Sequence, residues 1–144
     1  MPARDERGSS AVLIIGFAAF LAMTIAMVVD ASAAYLQRQG LNTLADGAAL
    51  HGADLGATGR DVYEGGVPDE RLELTAAQAR AAVRDYLRDV GAYRTYPGLS
   101  YDVRVDATRI TVELRAPVDL PLTVPGSPDH PVVGASGSAV VAPD

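Results

Sequence analysis

Residues 11–29 read AVLIIGFAAFLAMTIAMVV, about 19 residues with no charge, no proline and one glycine, Gly16, before the run ends at Asp30. At roughly 1.5 Å per residue a helix of this length approaches 30 Å, enough to cross a hydrocarbon core. The run therefore divides the chain into a head (residues 1–10), a span (11–29), a continuation (30–56) and a body (57–144). An account of the remaining residues starts from a protein held at one end.

The 144 residues contain no Cys and no Trp. Disulfides, thiolate metal sites and cysteine nucleophiles are thereby excluded. The net charge is -6, and the head contributes nothing to it, because Arg4 and Arg7 cancel Asp5 and Glu6. An acidic body lacks the clustered positive charge that a nucleic-acid partner requires. Arg4, Arg7 and the terminal amine precede the span, against the single Arg38 near its far side. This imbalance predicts the N-terminus in the cytoplasm and the body outside. The competing reading is a signal peptide cut at Ala31-Ser32-Ala33, although the apolar run is longer than a usual signal core.

Helical periodicity continues beyond Asp30. Leu36, Leu41, Leu44, Ala45, Ala48 and Leu55 recur at helical spacing, so one helix from about Ser9 to Ala53 is expected, apolar all round and then amphipathic. Gly40, Gly47 and Gly52 each cost such a helix about 1 kcal/mol, and would allow another element to pack closely. Residues 56–73 read as a loop, followed by a capping box, Thr75 to Gln78, and a second helix ending near Gly91. From Leu99 the period becomes two. A hairpin with its turn at Ala107-Thr108 sets Val105 opposite Ile110, Val103 opposite Val112 and Tyr101 opposite Leu114. Residues 118–124 alternate again, but Pro117, Pro121 and Pro125 restrict them to an edge strand or an irregular path. A last strand, rich in small residues, spans about 132–141. The fold class expected is α+β: a long N-terminal transmembrane and amphipathic helix, a second helix, and a small antiparallel sheet of three or four strands.

The N-terminal layout resembles that of type IV pilin-like proteins, and more closely the TadE/TadG-like proteins of the tight-adherence (Flp) pilus assembly system. Arg7-Gly8-Ser9-Ser10-Ala11-Val12 resembles that family's opening. Val29-Asp30 with Ala34-Tyr35-Leu36, and the stretch from Leu44 to Ala53, are similar to its later segments at matching spacing. The resemblance implies a pilin-like fold and a component of pilus assembly, partnered by the bilayer and by other pilus proteins through the N-terminal helix. Gly8 and Ser9 mark the position where prepilins are cleaved. Processed pilins usually carry an aromatic residue or Met first and Glu fifth, whereas Ser9 and Leu13 stand here. The missing Glu leaves cleavage after Gly8 open and argues against a bulk fibre subunit.

Gly16, Ala18, Ala22 and Ala26 form a small-residue stripe on which a second span could pack. Asp30 reads either as a pairing site for a partner's Arg or amine, or as a hydrated residue closing the run. Asp46, two turns beyond Arg38 on one face, reads as a bridge to the small domain. Arg80, Arg84 and Arg88, flanked by Asp85 and Asp89, read as a solvated face. His51 and His130 are isolated, and His51 with Asp54 is too few ligands for a metal. Asp102, Asp106 and Glu113 alternate with Arg, as solvated ion pairs do. With no catalytic constellation legible, the expectation is a non-catalytic protein with no cofactor, metal, nucleic acid or small-molecule substrate. The alternative to a pilus role is an envelope binding module, anchored or secreted. If the stripe packs on a partner span, Ala22→Leu should lower in-membrane crosslinking to that partner; unchanged crosslinking rules the stripe out.

Overall fold

The protein, as a computed structural model, is described here over residues 6–61, 68–106, 109–122 and 131–140. Its elements are α1 (Glu6–Asp61), α2 (Pro68–Asp89), α3 (Ala92–Thr95), β1 (Ser100–Val105), β2 (Arg109–Pro117) and β3 (Val132–Val140). The class is α+β, with a long N-terminal helix, further helices and a three-stranded antiparallel sheet.

Helix α1 runs unbroken for 56 residues, about 84 Å at the standard rise. It passes through Gly40, Gly47 and Gly52 because each lies where another part of the fold comes close. A Cβ on Gly40 would meet the Tyr96 hydroxyl, and one on Gly47 the Tyr86 hydroxyl. At Gly52 it would come within 3.1 Å of Val83 Cγ2.

Two boundaries differ from the sequence expectation. Helix α1 extends to Asp61, and α2 begins at Pro68, so the expected loop over 56–73 shrinks to the segment between them. Pro68 stands at the first helical position, where its missing N–H is no loss and its fixed φ suits the helix. Thr75 to Gln78 therefore lies inside α2 instead of starting it. The expected stop is present: Gly91, two residues after α2, adopts φ 70°, and its N–H donates to the Arg88 carbonyl at 3.0 Å.

The sheet order is β1-β2-β3, with both pairings antiparallel. The β1–β2 register pairs Tyr101 with Leu114, Val103 with Val112 and Val105 with Ile110, as alternation alone had predicted. The Asp106 N–H donates to the Arg109 carbonyl at 2.8 Å; the turn residues 107 and 108 lie outside the described residues. Val118 to Leu122 take the irregular path, not an edge strand, and 123–125 lie outside the described residues. The Val118 N–H donates to the Pro131 carbonyl at 2.8 Å, after which the chain turns toward α1.

Both long helices cover one face of the sheet, α1 over β3 and β2, and α2 over β1. Leu41, Ala45, Ala48, Ala49 and Ala53 of α1 form the core with Ala79, Val83 and Leu87 of α2 and Val103, Ile110, Val112 and Leu114 of the sheet. The inward side of β3 is small throughout: Val133, Ala135, Gly137, Ala139. The reason lies at Gly137, where a Cβ would overlap the backbone of Ala45 and Asp46. Strand and helix touch there main chain to main chain, and neither can yield as a side chain can.

Gly137→Ala should therefore destabilise the domain by about 2 kcal/mol or more, as an overpacked core does. Gly134→Ala on the same strand meets only ordinary contacts, the nearest at 3.7 Å, and should be nearly neutral. Thermal unfolding of the full chain in detergent, followed by tyrosine circular dichroism, checks the contrast.

Candidate functional site

The functional surface is built on α1, whose two halves have opposite surroundings. From Ser10 to Val29 every residue except Ala26 is exposed, including Val12, Leu13, Ile14, Phe17, Phe20, Ile25 and Met27. The helix over Ser10–Leu55 is long and apolar enough to cross a membrane, and none of its most apolar stretch is covered by protein. An exposed apolar surface of this size marks a membrane or protein contact in a folded chain. Above Asp30 the same helix becomes a wall of the core.

Among the stripe residues, Gly16, Ala18 and Ala22 are exposed and nothing of the protein lies within 4 Å of where a Gly16 side chain would stand. Ala26 is half-buried. Gly8 and Ser9 both lie within α1.

Asp30 is only 8% exposed. One carboxylate oxygen accepts the Leu122 N–H at 3.0 Å. Seven residues further on, the Gln37 side-chain amide donates to the Pro117 carbonyl at 2.7 Å. Between them Ala33 and Ala34 are half-buried. The stretch after β2 is thus fastened along one face of α1 from Gln37 down to Asp30. Asp30 is thus largely buried, and one of its carboxylate oxygens is engaged by a backbone amide of its own chain. Sequence reasoning had marked the residue but not this bond.

Asp46 is exposed, and what the domain meets there is its backbone, against Gly137. Arg38 lines an open groove of about 360 Å³ with Asn42, Glu113, Arg115 and residues 134–136, which does not include Asp46. The sheet's outer face is paired as alternation implied. Arg104 reaches Asp102 at 3.4 Å and Glu113 at 3.0 Å, and Arg115 reaches Glu113 at 3.0 Å. Asp102 and Glu113 face each other across the strands, so the two arginines offset a like-charge repulsion. On α2, Asp85 pairs with Arg84 at 3.3 Å and Arg88 at 3.4 Å. Such exposed pairs contribute little to stability.

The His51 ring packs 5.5 Å from that of Tyr86, and His130 lies outside the described residues. Among the described residues no group of three or more His, Asp or Glu is placed to hold a metal ion. Partial burial, and to a lesser extent the neighbouring Tyr101, raises the Tyr93 phenol above its ordinary value, while Arg88 and Arg84 oppose the shift.

The stretch that carries the span and its junction with the domain is also the one that a family description matches. No curated protein and no solved structure matches the chain. Residues 8–55, one third of the chain, which hold the bare half of α1 and most of its domain-bearing half, match the family described as putative Flp pilus-assembly TadE/G-like.

Proposed function

We propose that the protein is a non-catalytic, membrane-anchored component of Flp pilus assembly, accessory or minor-pilin-like. The observation that carries this reading is the division of α1: one unbroken helix is bare and apolar over one half and built into a folded domain over the other. The family match spans both halves. In this reading the N-terminus is cytoplasmic, the span crosses the cytoplasmic membrane once, and the domain stands outside. The protein acts by packing. Its span holds the bilayer, and the stripe of Gly16, Ala18, Ala22 and Ala26 receives a neighbouring span of the assembly. The exposed carboxylates of the sheet serve ion pairs, which supports a structural use for them.

Deletion of the gene should strip Flp-type fibres from the cell surface, and photo-crosslinkers along residues 11–29 should capture other pilus components. Full piliation in the deletion, with no such capture, points instead to an envelope binding module unrelated to pili. The N-terminus of the mature protein separates two forms of the pilus reading. A start at Ser9 in shed material identifies a processed subunit able to leave the bilayer. An intact N-terminus confined to membranes identifies a permanent anchor.

A further inference from the structure

We infer that the segment from Pro117 to Leu122 is an interfacial foot: it rests on the surface of the same bilayer that holds the span, at a depth set by Asp30. The inference depends on the span lying in a membrane, as proposed above. The helix supplies the ruler. Asp30 directly follows the last residue of the apolar run, and Leu122 is hydrogen-bonded to its carboxylate. In an α-helix the Cα–Cβ bond tilts toward the N-terminus, so this carboxylate reaches back beside the last apolar turn. From the Gln37 contact to the Asp30 contact the segment descends about 10 Å along α1.

One residue of the apolar run shares the face that carries Asp30. Ala26, one turn further into the apolar run, is half-buried while its neighbours on both sides are exposed. Ala26, Asp30, Ala33 and Gln37 recur at spacings of four, three and four, so they share one face.

The chemistry of the foot suits that depth. Val118 is buried and tethers the segment to the domain, while Leu120 is half-buried, Pro121 is exposed and Leu122 is 41% exposed. At its lower end Asp30 takes the Leu122 N–H, and Pro121 has no N–H to offer. The segment contains no Lys or Arg and one exposed carboxylate, Asp119. It is suited to the apolar side of a headgroup layer and not to gripping anionic lipid.

The test uses the full chain in phosphatidylcholine vesicles brominated either near the glycerol end or near the chain ends. Because the natural sequence has no Trp, single-Trp variants report depth directly. Leu122→Trp should be blue-shifted and lose about half its emission to bromines near the glycerol, the depth range of interfacial segments. Val140→Trp, at the far end of β3, should lose none. Phe20→Trp reports the span and should be quenched by bromines near the chain ends. Quenching at Phe20→Trp without quenching at Leu122→Trp overturns the foot and leaves the anchor standing. Quenching at neither overturns both. Asp30→Ala should speed amide exchange at Leu122 about tenfold or more and lower quenching of Leu122→Trp in the doubly substituted chain. Unchanged exchange and quenching remove Asp30 as the group that sets the depth.

Discussion

The backbone contact between Gly137 and the Ala45–Asp46 turn of α1 is the constraint on which the domain depends. It brings β3 so close to the helix that only small residues fit along the inward side of the strand. β2 packs against the same helix, and α2 lies over β1. The alanine-rich face of α1 and the Gly/Ala/Ser composition of β3 are two sides of one fit. Larger residues would bury more apolar area per contact, but they would push the strand off the helix. Close-packed main chains gain many small dispersion contacts instead.

The same helix has to satisfy two solvents, and its sequence changes at the point where the solvent changes. From Ala11 to Val29 it carries no charge on any side, since in lipid every side faces hydrocarbon. From Asp30 onward only one face remains apolar. The side chains that fasten the post-β2 segment, Asp30 and Gln37, are the first polar residues available on that face. Polar groups placed lower would sit in hydrocarbon, where they are costly.

Much of this was legible in the chain itself. Period-two alternation gave the hairpin register residue for residue, because a slip of one would have turned Tyr101, Val103 and Val105 toward water. Helical spacing gave α1 as one continuous helix. Local signals were weaker where they competed with a longer-range pattern. The capping box at Thr75 lost to a helix already started at Pro68, and the glycines at 56 and 59 did not end α1. The fastening of Asp30 was not legible, since it joins residues 92 positions apart through a backbone amide. Such a bond leaves no pattern of residue types. The paired use of Asp102, Glu113 and their arginines was readable because cross-strand neighbours follow from register.

From Asp30 to Leu55 the chain offers no hinge: no proline interrupts α1 there, and Gly40, Gly47 and Gly52 are braced by Tyr96, Tyr86 and Val83. The helix is therefore a lever whose fulcrum is the membrane surface. About 45 Å of it stands beyond Asp30, so a tilt of about 20° in the bilayer carries its far end sideways by roughly 15 Å. The domain cannot absorb that swing by bending at its root. Whatever steers the span steers the domain with it, and a lateral push on the domain is delivered as torque to the buried half of the helix.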